Sequence, residues 1–120
     1  MFNQKNLFNL NGSKSLVTGA TGGFGEDIVK FFSNHGQTVT ALGRSQEKLD
    51  SLSRNNEGIK TYSIDLNVES DVKEFSSTCD EFDNIILAHG IAGARPLRMI
   101  NSEYINNILQ SNLVSVLSLL

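Results

Sequence analysis

The chain has 120 residues, of which 39% are hydrophobic, and a net charge of −3, so it can bury a core as one globular domain or as part of one. Its Lys and Arg residues are scattered, which excludes the basic surface of a nucleic-acid-binding protein. The single cysteine, Cys79, cannot form an internal disulfide or a metal cluster, and no stretch is typical of a signal peptide or membrane span, so we expect a cytoplasmic protein without metal.

Strand and helix signals alternate along the chain. The apolar run SLVTG (15–19) predicts a buried strand, and a helix from Gly23 to Asn34 follows it, with Gly36 as its stop. One face of that helix carries Phe24, Ile28, Phe31 and Phe32. The run QTVTALG (37–43) predicts the second strand. A second helix follows, capped by Ser45 and carrying Leu49 and Leu52.

The second part of the chain continues this alternation. GIKTYSID (58–65) predicts a third strand, Val72 and Phe75 mark a third helix, and NIILAHG (84–90) predicts a fourth strand. Strands that alternate with crossover helices imply an α/β fold with a doubly wound parallel sheet.

A long helix is predicted from about Ser102. Its apolar stripe consists of Ile105, Ile108, Leu109, Leu113, Val116, Leu117 and Leu120. No glycine, proline or basic turn ends this helix, as expected of a chain cut within a helix. We expect the stripe to be exposed and the fourth strand to form an unprotected sheet edge.

A glycine-rich turn, TGATGGFG (18–25), joins the first strand to the first helix. Such a turn suits a phosphate, because free N–H groups and the helix dipole face the anion and glycines let a pyrophosphate come close. The glycines fit two registers. Gly19, Gly23 and Gly25 give G-x-x-x-G-x-G, whereas Gly19, Gly22 and Gly25 give G-x-x-G-x-x-G. In a strand-turn-helix context, this pattern predicts a dinucleotide site.

The turn resembles the T-G-x-x-x-G-x-G cofactor motif of the short-chain dehydrogenase/reductase family, which has a Rossmann-type fold. Asp65 and Leu66 follow the third strand, as does the family's adenine-contacting pair. Gly90 ends the fourth strand, where the family has N-N-A-G, and Asn112 matches its catalytic-helix asparagine. The resemblance implies that residues 1–120 are the N-terminal, NAD(P)-binding part of a longer single-domain chain.

The second glycine register belongs to the extended branch of that family, the sugar-nucleotide epimerases and dehydratases. Three other stretches, GRSQEKL (43–49), AHGIAG (88–93) and SNLVSV (111–116), resemble the shorter single-domain reductases instead, and we favour those. In the first register, that of the shorter branch, Gly23 rather than Gly22 lies beside the phosphates. The implied cofactor-binding residues are Gly19, Thr21, Gly22, Gly23, Phe24, Gly25, Arg44, Asp65, Leu66 and Gly90.

The fourth strand departs from the family motif. Leu87, Ala88, His89 and Gly90 stand where N-N-A-G is expected, so both asparagines are absent. In the family, those asparagines brace the central strands, so their absence affects the geometry of the sheet and not the presence of the cofactor site. We assign His89 no chemistry, since a histidine at a strand end is more often packed or partly exposed than functional.

Asn112 lies within the apolar stripe, four residues after Ile108 and four before Val116. An unpaired amide there would cost about 1–3 kcal/mol, so the side chain needs a partner. One interpretation is a buried asparagine satisfied by a neighbouring backbone. The resemblance implies another, in which Asn112 holds a water in the proton relay behind a catalytic tyrosine and lysine.

Arg44 directs the choice of cofactor. In a dinucleotide fold, an acidic residue at the end of the second strand holds the ribose 2′-OH of NAD, whereas an arginine there accommodates the 2′-phosphate of NADP. Arg44 holds that place, and the next acidic residue, Glu47, falls inside the following helix. We therefore predict NADP, with Thr21 adding a hydroxyl contact.

The chain lacks the catalytic motif of the family it resembles. Those enzymes use a serine and a Tyr-x-x-x-Lys motif to supply a proton, but Leu66 and Ile108 stand four positions after Tyr62 and Tyr104. We expect the parent protein to be a homo-oligomeric NADP(H)-dependent carbonyl reductase or alcohol dehydrogenase with a small-molecule substrate, and this chain alone to be inactive. A non-catalytic dinucleotide-binding module is the alternative.

Overall fold

The computed structural model of the protein describes residues 12–120. Strands and helices alternate in the order β1 (Lys14–Thr18), α1 (Gly23–Asn34), β2 (Thr38–Gly43), α2 (Gln46–Asn55), β3 (Ile59–Ser63), α3 (Glu69–Thr78) and β4 (Asn84–Leu87). A 3-10 turn (Leu97–Met99), helix α4 (Ser102–Leu109), a π-helical turn (Gln110–Val114) and helix α5 (Ser115–Leu119) follow. The alternation predicted from the sequence is therefore confirmed.

The strands form one parallel sheet in the order β3-β2-β1-β4. Val17 of β1 pairs with Ala41 of β2 on one side and with Ile86 of β4 on the other. The chain thus runs outward from β1 to β3 and then returns to the opposite side of β1. At such a reversal the crossover connections diverge, which leaves a crevice at the carboxyl ends of the strands.

Helices cover both faces of the sheet. On one face the buried cluster consists of Val17, Ala20, Val29, Val39, Ala41, Leu49 and Leu52. On the other face Leu16, Leu42 and Phe75 are buried, and Leu119 packs against them. Neighbouring residues of one strand point to opposite faces, which is why Leu16 and Val17 serve different clusters. The two central strands are accordingly apolar on both faces, as expected of a doubly wound sheet.

The packed face of α1 differs from the predicted one. Ile28 and Phe32 do pack against the core, together with the buried Val29. Phe24 and Phe31, however, are 78% and 52% exposed. Val29 and Phe32 lie three residues apart and define the stripe that meets the sheet, whereas Phe24 and Phe31 lie seven apart on a neighbouring stripe that faces outward.

The last helix is interrupted, contrary to the prediction of one continuous helix. In the π-helical turn, the N–H of Ser115 donates to the carbonyl of Gln110, five residues earlier. The extra residue shifts the helix phase, so Leu119 rather than Leu120 packs against the core. Much of the predicted stripe is exposed, as expected: Leu113 is 50% exposed and Leu117 is 62% exposed.

Candidate functional site

A cleft of about 350 Å³ opens at the carboxyl ends of the strands, beside the point where β1 and β4 part. Its size lies within the range that small-molecule and cofactor sites usually have. The predicted site residues that line it are Gly19, Thr21, Gly22, Arg44, Asp65, Leu66 and Gly90. Gly23, Phe24, Gly25 and Asn112 lie outside the lining, and each is placed below.

Gly19 brings the glycine turn against the end of β4. Its φ of +63° lies in the left-handed region, which favours glycine. A Cβ atom on this residue would lie only 2.6 Å from the carbonyl oxygen of Ala88. Any other residue at position 19 would therefore push the two walls of the cleft apart.

The remaining glycines of the turn have different roles. A Cβ on Gly25 would overlap the carbonyl of Gly19, so Gly25 lets α1 begin close against the turn. A Cβ on Gly22 would meet its nearest atom at 3.4 Å, and one on Gly23 would meet nothing within 4 Å. Gly22 lines the cleft and Gly23 does not, whereas the short-branch register expects Gly23 beside the phosphates.

The first turn of α1 offers free hydrogen-bond donors. Its first helical bond runs from the N–H of Glu26 to the carbonyl of Gly22, at 2.8 Å. Within the described residues, the N–H groups of Gly23, Phe24 and Gly25 donate to no carbonyl. Unpaired N–H groups and the helix dipole together make this end suitable for an anion. Phe24 could offer an anion only its backbone N–H, because its side chain is exposed and lies outside the cleft.

Two cationic side chains lie on the wall next to β2. Arg44 directly follows the strand, and Lys48 lies in the first turn of α2. Both line the cleft, and the ion pairs between described residues involve other side chains. Glu47 belongs to α2, as predicted, and does not line the cleft. The sequence analysis missed Lys48; its place in the first turn of the helix that follows β2 is the signal that could have found it.

Gly43 and Thr21 make the floor between that wall and the glycine turn. A Cβ on Gly43 would lie 2.9 Å from the Cγ2 atom of Thr21, so the end of β2 has to be glycine for the threonine to pack there. The N–H of Ala20 also donates to the carbonyl of Leu42, at 3.0 Å. The turn is thus fixed against β2 as well as β4.

The loop after β3 forms a third wall. The Asp65 carboxylate accepts the N–H of Asn67 at 2.9 Å, and the Asp65 N–H donates to the Asp71 carboxylate at 3.2 Å. Leu66 packs partly buried against the core cluster that contains Phe75. These contacts hold Asp65 and Leu66 in place at the cleft.

Asn112 is satisfied by a neighbouring backbone. Its Oδ1 accepts the N–H of Ile91 at 2.7 Å, and its Nδ2 donates to the carbonyl of the same residue at 2.8 Å. The side chain is exposed rather than buried in the stripe, since it lies in the π-helical turn, which departs from regular helix phase. A Cβ on Gly90 would lie 2.9 Å from Oδ1, so glycine is needed beside this contact.

His89 lies in the cleft wall and makes two side-chain hydrogen bonds. Its Nδ1 is 2.6 Å from the hydroxyl of Thr18, and its Nε2 is 2.9 Å from the hydroxyl of Ser115. Partial burial lowers the pKa of His89 below its ordinary value. The sequence analysis assigned this residue no role; the replaced N-N-A-G motif was the only signal, and it did not identify these partners.

Some features were not found among the described residues. Residues 12–120 contain no cluster of three or more His, Cys, Asp or Glu side chains that could hold a metal ion. In the same range, every helix is too short or too polar to cross a membrane. Neither Tyr62 nor Tyr104 lines the cleft. What the cleft does offer is two cations and closely approaching glycines. The free N–H groups of α1 begin at Gly23, directly after Gly22 of the lining.

Known proteins share both the sequence pattern and the fold. A family model described as short chain dehydrogenase matches residues 14–120. L-xylulose reductase of Bos taurus is 46% identical over 57 residues, which cover 48% of this chain and 23% of that protein. The NADP-dependent 3-hydroxy acid dehydrogenase of Salmonella typhimurium is 30% identical over 103 residues, which cover 81% of this chain and 42% of that protein.

A solved structure with a similar fold is a short-chain dehydrogenase of Shigella flexneri in complex with NADP. It matches with a TM-score of 0.78 at 24% identity, over 91% of this chain and 51% of the other. The chain spans less than half the length of the two curated relatives. The family model nevertheless covers nearly all of the described residues. The chain belongs to the short-chain dehydrogenase family.

Proposed function

We propose that the protein is an NADP(H)-dependent oxidoreductase that transfers hydride to or from a small carbonyl or alcohol. In this proposal, residues 1–120 are the N-terminal, dinucleotide-binding part of a longer single-domain chain that forms a homo-oligomer. The observation that carries it is Arg44, a cation without an ion pair among the described residues, in the cleft wall at the carboxyl end of β2.

The residues present fit a dinucleotide phosphate. The free N–H groups of Gly23, Phe24 and Gly25 mark the positive end of α1, and an anion there satisfies donors that otherwise need water. Gly19 and Gly22 present no side chain to the cleft, which allows a phosphate to approach the backbone. The cleft is also large enough for part of such a molecule.

The choice of NADP over NAD rests on charge. A guanidinium binds a phosphate with two charge-assisted hydrogen bonds, whereas a carboxylate at the same position would repel it. Among the described residues, no acidic side chain stands on the wall at the end of β2, since Glu47 does not line the cleft. The similar 3-hydroxy acid dehydrogenase of Salmonella typhimurium is named as NADP-dependent, which supports this choice.

The cofactor, when bound, supplies the hydride, and this chain supplies its binding and orientation. Asp65 and Leu66 would contact the adenine, and Arg44 would bind the 2′-phosphate. The glycine turn would hold the pyrophosphate, and Gly90 would border the cofactor from the opposite wall of the cleft. Thr21 would add a hydroxyl to the turn. We propose that Asn112 serves proton transfer in the reaction rather than cofactor binding. We expect this chain alone to be inactive, because it contains no Tyr-x-x-x-Lys motif.

Cofactor titrations of the full-length protein test this proposal. We expect Arg44→Asp to weaken NADPH binding about ten- to a hundredfold, because hydrogen bonds to charged groups are worth about 1.5–3 kcal/mol. NADH binding should persist, so the preference moves toward NAD. The matched control is Arg54→Asp, which makes the same charge change at an exposed position in the last turn of α2.

Three outcomes distinguish the alternatives. Wild-type protein that binds NADH more tightly than NADPH would show that Arg44 does not select the cofactor. An equal loss of NADPH affinity in Arg44→Asp and Arg54→Asp would mean that the effect is overall charge. Binding of NADPH without turnover of any carbonyl or alcohol would favour the non-catalytic dinucleotide-binding module.

A further inference from the structure

We propose that His89 is a positioning residue of the cleft. In its neutral form, protonated at Nε2, it holds β1, the end of β4 and the last helix together where the glycine turn begins. The residues at the two ends of this contact are Thr18 and Ser115. The predicted effect on cofactor binding rests on the proposed function. The hydrogen-bond chain does not, because it involves only residues of this protein.

The directions of the hydrogen bonds determine the tautomer. The hydroxyl of Ser115 donates its single proton to the carbonyl of Ser111, at 2.7 Å. It can therefore only accept from His89, so Nε2 carries the proton. Nδ1 is then the acceptor, and the Thr18 hydroxyl donates to it at 2.6 Å. The Thr18 hydroxyl also lies 3.5 Å from the carbonyl of Ile86, a longer hydrogen bond that competes for the same proton.

Burial agrees with a neutral ring. Thr18 is fully buried, and Ser115 is 1% exposed. A charged imidazolium would lose much of its hydration between two such partners, and burial lowers the pKa of His89 accordingly. The chain of hydrogen bonds from Thr18 through His89 and Ser115 to Ser111 therefore has every polar hydrogen assigned.

The position of this chain links it to the cleft. Thr18 is the last residue of β1 and precedes Gly19 directly, and it pairs with Leu87 of β4. His89 comes two residues after Leu87, and its side chain turns back onto Thr18. Because the backbone at Gly19 already touches that at Ala88, a small shift of β4 moves both cleft walls. His89 prevents that shift and also lines the cleft itself.

The tautomer is measurable without any ligand. We expect the ¹⁵N spectrum of the imidazole in the full-length protein to show a protonated Nε2 and an unprotonated Nδ1 for His89 above its pKa. His35, which is exposed and hydrogen-bonded to the carbonyl of Phe31, is the internal comparison. A His89 protonated at Nδ1, or one that averages both tautomers, would overturn the assigned chain, whatever the protein binds.

The effect on the cleft is measurable with NADPH as the probe. We expect Ser115→Ala and His89→Ala each to weaken NADPH binding about three- to tenfold, the value of an ordinary net hydrogen bond. The double variant should be no weaker than His89→Ala alone, because both changes break one chain. Ser118→Ala is the matched control, since Ser118 also donates to a carbonyl four residues earlier, at 2.8 Å, and has no hydrogen bond to a histidine among the described residues.

The outcomes separate this inference from the proposed function. If the wild type binds neither NADPH nor NADH, the proposed function fails, and the tautomer still decides the hydrogen-bond chain. If the wild type binds NADPH and Ser115→Ala binds it equally well, His89 does not position the cleft. Equal losses in Ser115→Ala and Ser118→Ala, or additive losses in the double variant, would also reject it.

Discussion

The fold requires two glycines of the turn, and it can accept a substitution at the other two. Gly19 and Gly25 are required by close contacts, since a Cβ on either would collide with backbone. Gly22 and Gly23 have room for a methyl group. The four glycines of this motif therefore meet two separate requirements. One is the close packing of the turn, and the other is room for the molecule that occupies the cleft.

This division predicts opposite effects on stability. Gly25→Ala should destabilise the protein by about 1–3 kcal/mol, as overpacking in a tight site does. Gly23→Ala, two positions away in the same helical turn, should change the free energy of unfolding by less than about 0.5 kcal/mol. Urea unfolding of the full-length variants measures both. Two variants of equal stability would show that the helix start can move away from the turn.

His89 also predicts how stability depends on pH. The folded protein holds the ring neutral with a lowered pKa, whereas the unfolded chain takes up a proton near the ordinary value of 6.5. Between those two values the unfolded state binds more protons, so stability falls as the pH is lowered through this window and is fully present above 6.5.

Thermal unfolding above and below that pH measures the effect. We expect His89→Gln to reduce the pH dependence in this window, while His35→Gln, a change of an exposed histidine, retains it. An unchanged slope in His89→Gln would show that carboxylates, not His89, account for the loss of stability in acid.

The sequence located much of the site because several of its members follow from local rules. Arg44 and Asp65 each come just after a strand, and parallel strands end at one edge of the sheet. His89 could not be found in this way. Its partners lie 71 positions before it and 26 positions after it, and no periodicity connects them.

At the scale of elements, the last helix shows why phase cannot be read from spacing alone. Regular helical spacing placed Leu120, and not Leu119, on the apolar stripe, but the π-helical turn at Gln110–Val114 advances the chain by one residue. Leu119 therefore meets the core. The same turn displaces Asn112 from the stripe toward Ile91, where both ends of its amide are used. Such turns are frequent at functional sites.

Asn112→Ala tests the role of this turn in the full-length protein. We expect turnover to fall at least about tenfold, as small misplacements near a reaction do, while NADPH affinity stays nearly unchanged, because Asn112 does not line the cleft. Asn106→Ala, at an exposed position of α4, is the matched control. Unimpaired turnover in Asn112→Ala would leave Asn112 with only its structural contact to Ile91.

At the scale of the whole molecule, the sequence predicted the layers and an edge position for β4, but not the full strand order. Alternating strands and helices predict a parallel sheet covered on both faces, and this is confirmed by the two buried clusters. The order β3-β2-β1-β4 depends on which side of β1 the chain returns to, and several orders satisfy the same pattern of apolar residues.

The 120-residue chain exposes apolar side chains along its last helices, with Leu109 at 47%, Leu113 at 50% and Leu117 at 62%. In addition, β4 lies at the edge of the described sheet. We therefore expect the purified chain to self-associate as its concentration rises.

Sedimentation of the 120-residue chain over a range of concentrations measures this. The double variant Leu113→Lys and Leu117→Lys should remain monomeric to higher concentration. Leu97→Lys places the same charge at an 86% exposed leucine outside those helices and should not. A wild-type chain that stays monomeric throughout would show that exposed leucines and a free edge do not cause association here.

The return of the chain to the far side of β1 also has a consequence for how the protein folds. Ser15 reaches Gln37, beside β2, across 22 positions, but it reaches Asn84 of β4 across 69. Closing the longer loop costs about 1 kcal/mol more chain entropy. The unit β1-α1-β2 can therefore assemble first, with the glycine turn and Arg44 already in place. The turn gains its opposite wall only when β4 docks, so a chain in which β4 has not docked would have the phosphate end of the cleft but no enclosed cleft.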